Sequence, residues 1–598
     1  MLYYYFKILK GKMFKLLKNL RGREGLFALC AFLLIAAQVG LELKMPDYMK
    51  EITRLVQTEG SAMQDILRNG GFMVLCALGS FAAAVFVGFF TSHIAASFSM
   101  NTRKKLFDKV NSLGMNEVKK FSTSSLITRT TNDITQIQML LAMGAMMMVR
   151  APLTAGWAIL KILNKSWQWS AVTAVAVVVM LSMVITLMVI VIPRFKIVQK
   201  LTDRINGIAR ENLTGIRVVR AFNAEQYQEE KFEKANAELT QTQLFNQRML
   251  SLMSPGMYLI LEGVSLAIYF VGARLIDAAA MTDRVALFGD MVVFSSYAIQ
   301  VIISFLMLAM IFMMLPRAQV SAQRINEVLK EKITITDGTK TGNETDEQGT
   351  IEFRNVSFKY PEADDYLLRD ISFSVRQGET VAFVGSTGSG KTSLINLIPR
   401  FYDVTDGEVL VDGIDVRDYK QKALRNKLGY VSQKAVLFDG SVTSNVSYGD
   451  NGREKADDAK IKKAIEVAQA KSFVEKMPGD YKAHIAQGGT NISGGQKQRL
   501  SIARAIARDP EIYIFDDSFS ALDYKTDSKL RNALRKYTNG ATTLIVAQRI
   551  GTIMNADQII VLDEGKCVGK GTHKQLLKDC KVYRQIALSQ LSEEELNV

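Results

Sequence analysis

Histidine and cysteine are both scarce in this chain of 598 residues, and their scarcity narrows the chemistry available to it. The four cysteines have no C-x-x-C spacing, which argues against a disulfide scaffold and against a metal site; they are Cys30, Cys76, Cys567 and Cys580. Chemistry that needs an imidazole has only three candidates, which are His93, His484 and His573.

The start of the sequence is not expected to act as a secretory signal. Residues 1–10 mix aromatic and basic side chains and contain neither an apolar core nor a cleavage site. We predict that residues 1–20 form an amphipathic helix on a membrane surface. The alternative is a disordered basic tail.

The chain has long apolar runs and an excess of positive charge. Its length requires two or more domains. Six runs of about 20 residues or more are each long enough to cross a bilayer core of about 30 Å; they cover roughly 25–46, 70–95, 137–162, 166–193, 250–275 and 288–316. We therefore predict a six-helix α transmembrane domain over residues 21–329, in the plasma membrane of a bacterial cell. The net charge of +15 then reflects cytoplasmic Lys and Arg facing anionic lipid, and no nucleic-acid partner is expected.

Two of the gaps between these runs are long and basic. Residues 96–136 and 194–249 are rich in Lys, Arg and helix-forming residues, so both gaps and both termini are predicted to be cytoplasmic. We expect each gap to form an antiparallel helical hairpin, with its tip near residues 122–129 or 211–217. The alternative is two irregular loops.

Two charges lie deep in the apolar runs. Arg150 is about 13 residues into the third run, and Glu262 is about 12 residues into the fifth. Because an unpaired charge in a membrane is costly, we predict that both face the bundle interior and either pair with each other or line a polar cavity. A purely structural ion pair is the alternative.

The second half of the chain has the composition of a soluble α/β domain. A polar connector over residues 330–349 precedes it, and the domain itself is predicted over 350–598. Within it, Gly385 to Thr392 satisfy G-x-x-x-x-G-K-[ST] between a strand-like run and a helix start, which predicts a nucleoside triphosphate site. The candidate binding residues are Gly385, Ser386, Thr387, Gly388, Ser389, Gly390, Lys391, Thr392 and Ser393, with the Thr392 hydroxyl available to Mg²⁺. An accidental glycine-rich turn is the alternative.

Further motifs follow in a fixed order over the same region. The glycine-rich loop is followed by Val431-Ser-Gln, by Ile492-Ser-Gly-Gly-Gln, by a strand-like run ending at Asp516, and by Ser520-Ala-Leu-Asp. With Tyr360, these motifs make the region resemble an ABC transporter ATPase domain, an α/β P-loop fold. The six spans and two hairpins resemble the type IV exporter membrane domain, so the resemblance covers nearly the whole chain.

The resemblance implies a role for each matched residue. Tyr360 is expected to stack on adenine, and Thr392, Gln433 and Asp516 are expected to hold Mg²⁺. Asp523 closes the D-loop. The segment that grips the ATP of a second subunit is Ile492, Ser493, Gly494, Gly495 and Gln496. One chain supplies half of such a machine, so a dimer is expected, with ATP and Mg²⁺ as its cofactors.

Two catalytic positions depart from the family pattern. Asp517 stands where the family has the glutamate that polarises the attacking water, and Gln548 stands where it has a histidine. Losing one methylene pulls the carboxylate back by about 1.5 Å, against a hydrogen-bond window of about 2.6–3.2 Å. The pattern favours an exporter of amphipathic small molecules, lipids or peptides in which this chain carries the degenerate ATP site and a paralogous half-transporter carries the active one. The alternatives are a slow homodimeric exporter and a nucleotide-gated channel or regulatory subunit.

Overall fold

The structure is a computed structural model that describes residues 22–592 and 596, except residues 59, 164, 165, 282, 343 and 539. The predicted amphipathic helix over residues 1–20 lies outside the described residues. The chain divides into two units. One unit holds the residues up to 111 together with 121–331, and the other combines 112–120 with 332–598.

Long helices build the first unit. The helices from here to the connector are α1 (Gly22–Gln57), α2 (Met63–Ser112), α3 (Met115–Phe121), α4 (Thr123–Thr130), α5 (Asn132–Met139), α6 (Ala145–Leu163), α7 (Trp167–Thr214), α8 (Ile216–Ala221), α9 (Glu225–Ser251), α10 (Met253–Asp277) and α11 (Arg284–Lys330). A π-helical turn, Leu140–Gly144, joins α5 to α6. All of α3 except Phe121 belongs to the second unit. Among the described residues, six helical stretches are long and apolar enough to cross a membrane, which confirms the predicted number.

Helix α11 lies at the centre of this unit and packs against α1, α6 and α10. Its buried side chains include Phe294 and Tyr297, and Phe294 packs against Trp169 of α7 at 5.3 Å between ring centroids. The Tyr297 hydroxyl lies 2.9 Å from the Leu43 carbonyl and 2.8 Å from Asp47, and these two acceptors share its single proton, so the one polar atom of this buried ring is satisfied.

The fourth gap forms the helical hairpin that its composition predicts. Helices α7 and α9 are joined through the short helix α8, and ion pairs link Arg204 to Glu238 and Glu211 to Lys231, each at 2.9 Å. Advancing from Arg204 to Glu211 on α7 therefore moves back from Glu238 to Lys231 on α9, which is antiparallel pairing. The second gap differs in part from the prediction, because residues 123–130 form helix α4, while the chain breaks between helices near Gly114 and again at Ser122, which has a φ of +56°.

A mixed α/β fold makes up the second unit. Its strands are β1 (Ile351–Phe358), β2 (Leu368–Val375), β3 (Thr380–Gly385), β4 (Asp406–Val411), β5 (Ile414–Asp415), β6 (Leu428–Val431), β7 (Gly440–Ser441), β8 (His484–Ile485), β9 (Ile512–Asp516), β10 (Thr542–Val546), β11 (Gln558–Asp563) and β12 (Lys566–Gly571). A six-stranded sheet has the order β12-β11-β3-β10-β9-β6, and an antiparallel sheet has the order β2-β1-β4-β5.

Helices connect these strands. They are α12 (Lys391–Ile395), α13 (Gln421–Asn426), α14 (Val442–Val446), α15 (Asp458–Val467), α16 (Lys471–Val474), α17 (Gly494–Arg508), α18 (Tyr524–Tyr537), α19 (Ile550–Ile553), α20 (His573–Asp579) and α21 (Lys581–Leu588). Short 3₁₀ turns occur at Asp480–Lys482 and Gln487–Gly489.

Both faces of the six-stranded sheet are buried. In β9, Ile512 and Ile514 join one hydrophobic cluster while Tyr513 and Phe515 join the cluster on the opposite face. Covered parallel strands of this kind explain the continuous apolar runs in the sequence. The strands β3, β9 and β10 run parallel and side by side, so their carboxyl ends meet at one edge.

Candidate nucleotide site

The glycine-rich loop starts at the carboxyl end of β3 and leads into α12. A Cβ atom on Gly385 would lie 2.0 Å from the Leu562 carbonyl oxygen, so no larger residue fits there. Gly390 has a φ of +95°, and its Cβ would lie 2.6 Å from Leu368 Cδ2. The loop itself, residues 386–388, is exposed, which leaves its backbone N–H groups accessible to an anion.

Lys391 is buried beneath this loop. Its Nζ donates to the Gly385 carbonyl at 2.8 Å and to the Ser386 carbonyl at 2.7 Å. Burial lowers the pKa of Lys391, and the nearby carboxylates of Asp517 and Asp516 oppose that shift. The ammonium group is thus held close to the position where the outer phosphates of a nucleotide would lie.

Thr392 and Asp516 bring oxygen ligands together beside the loop. The Thr392 hydroxyl donates to Asp516 Oδ1 at 2.9 Å. Burial raises the pKa of Asp516, and the Thr392 hydroxyl opposes the shift. A hydroxyl and a carboxylate next to a phosphate loop are hard oxygen donors of the type that Mg²⁺ takes in combination with phosphates, so these residues fit that ion.

Asp517 receives two amide donors on a single oxygen. Gln433 Nε2 lies 3.2 Å from Asp517 Oδ2, and Gln548 Nε2 lies 3.0 Å from the same atom. Asp517 is buried and has a φ of +46°, in the left-handed region. Burial raises the pKa of Asp517, and the Gln433 amide opposes the shift. Gln433 and the two residues that depart from the family pattern, Asp517 and Gln548, therefore meet at one carboxylate oxygen.

The three histidines lie elsewhere. His93 packs edge-on against Phe27, with ring centroids 5.1 Å apart. His484 Nε2 lies 3.0 Å from Asp439, and buried His573 shares a hydrogen bond of 2.7 Å with the Tyr583 hydroxyl. Each histidine is thus engaged with residues outside the Walker motifs.

Tyr360 is tied to the phosphate loop through its hydroxyl group, which shares a hydrogen bond of 2.8 Å with Ser393 Oγ. Its ring packs edge-on against Phe358 and Tyr402. The Nζ of Lys119 lies 5.0 Å from the Tyr360 ring centroid and 5.5 Å from that of Tyr402. Hydrogen bonding to Tyr402 raises the pKa of Lys119, and burial opposes that shift. The sequence carries no signal for this contact, because about 240 residues separate the two partners.

The signature segment begins helix α17. Ser493 is its N-cap, and its Oγ accepts a 3.4 Å bond from the Gln496 N–H while Gln496 Oε1 accepts a 2.9 Å bond from the Ser493 N–H. Ser493 and Gly494 are exposed, and Ile492 and Gly495 are half-buried. Asp523 is the N-cap of α18, and its carboxylate accepts from Thr526 N at 2.9 Å. Within the described part of the chain, no hydrogen bond joins this segment to the phosphate loop.

Arg150 pairs with a residue that the sequence did not single out. Its Nη2 lies 3.0 Å from Glu42 Oε1 and 2.9 Å from Oε2, so it does not pair with Glu262. Of the two predicted arrangements, Arg150 follows the second, because it lines a cavity together with polar residues such as Gln38 and Thr154. The side chain of Glu262 is exposed on α10. Equal depth along the spans does not place two side chains on facing helix surfaces, and α6 packs against α1.

Family comparisons agree with this architecture. The ABC transporter transmembrane region matches residues 28–314, and the ABC transporter domain matches residues 368–520. An ABC transporter ATP-binding protein of Mycobacterium tuberculosis is 38% identical over 91% of this chain and 93% of its own length. One from Bacillus subtilis is 35% identical over 95% and 97%. The ATP-dependent lipid A-core flippase of Pseudomonas aeruginosa is 32% identical over 86% and 83%.

A solved structure shares the fold as well. It is the structure of a bacterial Atm1-family ABC exporter with ATP bound, with a TM-score of 0.78 and 24% identity over 96% of this chain and 100% of that one. The chain therefore belongs to the ABC transporters, as an exporter-type half-transporter that joins a six-helix membrane domain to one ATPase domain.

Proposed function

We propose that this ATP-driven exporter works as one half of a heterodimer and that its own Walker residues form a low-hydrolysis site. The observation that carries the proposal is the surrounding of Asp517. Its carboxylate is one methylene shorter than the family's glutamate, and Oδ2 is already bonded to the amides of Gln433 and Gln548 at 3.2 Å and 3.0 Å. A general base must come within about 2.6–3.2 Å of the water that it activates.

Gln548 compounds this deficiency. Its amide can donate to a γ-phosphate oxygen, but it has no protonated, charged form with which to stabilise the transferred phosphoryl group. The two altered residues are in direct contact, because Gln548 Nε2 donates to Asp517 Oδ2. A single altered position would leave one of the two catalytic contributions in place, whereas this site lacks both.

Binding of ATP needs neither residue. Gly385 to Ser393 keep the loop geometry, Lys391 lies beneath the phosphates, and Thr392 with Asp516 fits Mg²⁺, which would neutralise phosphate charge when bound. Tyr360 supplies an aromatic face for the base. On this proposal the site holds ATP and keeps the dimer closed.

The active site of the pair then includes this chain's signature. Exposed Ser493 and Gly494 at the start of α17 present a hydroxyl group and backbone N–H groups to an anion across the dimer interface. The paralogous partner supplies the glutamate and histidine, and hydrolysis occurs there.

An amphipathic molecule with a lipid-like apolar part is the proposed substrate. The membrane domain matches the ABC transporter transmembrane region over residues 28–314, and one relative at 32% identity is an ATP-dependent lipid A-core flippase. We infer outward transport across the plasma membrane, with both termini in the cytoplasm, since the long basic gaps follow the positive-inside tendency.

The test compares the full chain alone with the chain co-purified with its proposed paralogous partner, both in lipid nanodiscs. We expect slow ATPase activity alone and fast activity in the pair, with Asp517→Ala changing the activity of the pair by less than about twofold. Vigorous activity of the lone chain that Asp517→Ala abolishes would contradict the degenerate site. Uphill, ATP-dependent movement of a fluorescent lipid in sealed vesicles separates a pump from a nucleotide-gated channel.

A further inference from the structure

The short connection between β10 and α19 is held by a side chain from near the end of the chain. Gln590 Nε2 donates to the Gln548 carbonyl at 2.8 Å, and Gln590 Oε1 accepts from the Ile550 N–H at 2.8 Å. We call residues 548–550 the switch segment, because this segment carries Gln548. A single side-chain amide thus fixes two backbone groups of the switch segment.

The switch segment needs such an acceptor at its end. The first N–H groups of a helix have no acceptor within it, and a polar N-cap side chain often accepts from one of them. The N-cap of α19 is Arg549, and an arginine side chain carries no acceptor. Arg549 donates instead to the carbonyls of Leu522 and Ser520, at 3.4 Å each. Gln590 supplies the acceptor from 40 residues away in the sequence.

The backbone of Gln590 is anchored, although the residue itself is exposed. Its N–H donates to the Ala587 carbonyl at 3.1 Å, at the end of α21. Ala587 and Tyr583 of α21 are buried in a hydrophobic cluster of the domain, and the Tyr583 hydroxyl shares its 2.7 Å hydrogen bond with His573. A helix fixed in this way gives the Gln590 side chain a defined origin. Because the side chain is exposed, it can be replaced without leaving a cavity in the core.

Only one residue separates Gln590 from the carboxylate of Asp517. Gln548 Nε2 donates to Asp517 Oδ2 at 3.0 Å, while the carbonyl group of Gln548 accepts from Gln590. Fixing that carbonyl group fixes the plane of the peptide unit that follows Gln548, and with it the direction in which the Gln548 side chain leaves the backbone. A side chain that is aimed by its own backbone loses less conformational entropy when it binds a ligand.

The Gln548 amide can also serve a bound nucleotide. It can donate to an oxygen of the γ-phosphate, a group that ATP carries and ADP does not. The phosphate loop provides affinity for the phosphates that both nucleotides share, so binding persists without Gln548. Gln548 adds one donor that only ATP can use, and a hydrogen bond to a charged oxygen is stronger than one between neutral groups.

We propose that Gln590 is a positioning residue of the nucleotide site. By holding the switch segment, it presents the Gln548 amide to the γ-phosphate and raises the preference of the site for ATP over ADP. The proposal rests on the donation from Gln548 to the γ-phosphate that is part of the proposed function. It requires neither slow hydrolysis nor a partner subunit.

The experiment measures the equilibrium binding of two nucleotides to the full chain in lipid nanodiscs, in the presence of Mg²⁺. One nucleotide is ADP, and the other is the β,γ-imido analogue of ATP, which keeps a γ-phosphate but is not hydrolysed. Gln590→Leu removes both hydrogen bonds at similar side-chain size. We expect this variant to bind the imido analogue about fivefold more weakly and ADP less than about twofold more weakly than wild type.

Two further variants separate the hydrogen bonds from other effects of the substitution. Gln585→Leu makes the same change at an exposed position of α21 and should leave both affinities within about twofold of wild type. Gln590→Glu keeps an acceptor for the Ile550 N–H but cannot donate to the Gln548 carbonyl. It should also lose affinity for the imido analogue selectively, in a protein whose exposed surface stays polar.

A double-mutant cycle determines whether Gln590 acts through Gln548. Gln548→Ala alone should weaken binding of the imido analogue selectively, and adding Gln590→Leu should change that affinity by less than about twofold. A further loss in the double variant, an equal loss for ADP, or no selective loss in either single variant would overturn the proposal. Because neither nucleotide is hydrolysed, fast ATPase activity of the lone chain would refute the low-hydrolysis site and leave this result unaffected.

Discussion

Two substitutions should convert the nucleotide site that we propose to be weak into an active one. Asp517→Glu together with Gln548→His restores both family residues. In wild type, Asp517 Oδ2 is bonded to two amides at 3.2 Å and 3.0 Å. If its oxygen lies about 1.5 Å short of a water that should sit about 2.9 Å away, the separation is about 4.4 Å, which is too long for proton transfer.

The expected gain in ATPase rate equals the contribution of the general base that the site is proposed to lack. A positioned general base contributes roughly 10²–10⁴-fold to a rate, so we expect the ATPase activity of the lone chain to rise by at least about 100-fold in the double variant. Phosphate release from the full chain in nanodiscs, at saturating Mg²⁺ and ATP, measures it. Asp517→Asn gives the baseline, because it keeps the shape and an acceptor oxygen but cannot take a proton.

The ATPase rates of the three proteins should fall in a fixed order. Wild type should be close to Asp517→Asn, and the double variant should be far above both. A wild-type rate that greatly exceeds the Asp517→Asn rate, with no gain in the double variant, would show that Asp517 is a competent base at its present length. ATP affinity should be similar in all three proteins, since the phosphate loop is unchanged.

Three further predictions concern other parts of the chain. Ser493→Ala should lower the ATPase activity of the heterodimer at least about tenfold, whereas Ser441→Ala, which removes the N-cap of another capping box, should leave the activity within about twofold; each should cost about 1 kcal/mol in unfolding free energy. Equal losses of activity in the two variants would show that Ser493 acts only as a helix cap. Burial raises the pKa of Asp517, so ionisation of this carboxyl lowers the free energy of unfolding as the pH rises through that pKa. Asp517→Asn should therefore unfold at a higher temperature than wild type near neutral pH. The difference between the two proteins should vanish toward about pH 4, where the carboxyl is protonated in both states. Glu42→Arg or Arg150→Glu alone should reduce the folded yield in membranes, and the two together should restore it; two independent losses would contradict the pairing.

The nucleotide site was readable from the sequence because its geometry is local. Gly385 to Thr392 form one turn between a strand and a helix, and parallel strands bring Asp516 and Gln548 to the same edge. The residues of such a motif are close together in the sequence, so their contacts can be predicted from the motif itself. The six spans were equally readable, because each must satisfy its backbone polar groups within a single long apolar helix.

Contacts between distant segments were not readable in this way. Depth along the membrane normal matched Arg150 to Glu262, but a helix presents each residue in only one direction, and the direction of Arg150 leads to Glu42. Lys119 near Tyr360 is a similar case. Neither pair has a fixed spacing in the sequence, and both depend on how whole helices pack.

The grouping of residues 112–120 with residues 332–598 has a practical consequence for engineering. The ATPase domain is discontinuous in the sequence: Glu117 Oε1 accepts a 2.6 Å bond from the Thr334 hydroxyl, and Lys119 lies over Tyr360. A chimaera made by exchanging everything after residue 331 would therefore assemble its ATPase domain from two parents. Exchanging residues 112–120 at the same time keeps these contacts within one parent, and the same segment belongs in any fragment intended to reproduce the domain's nucleotide affinity.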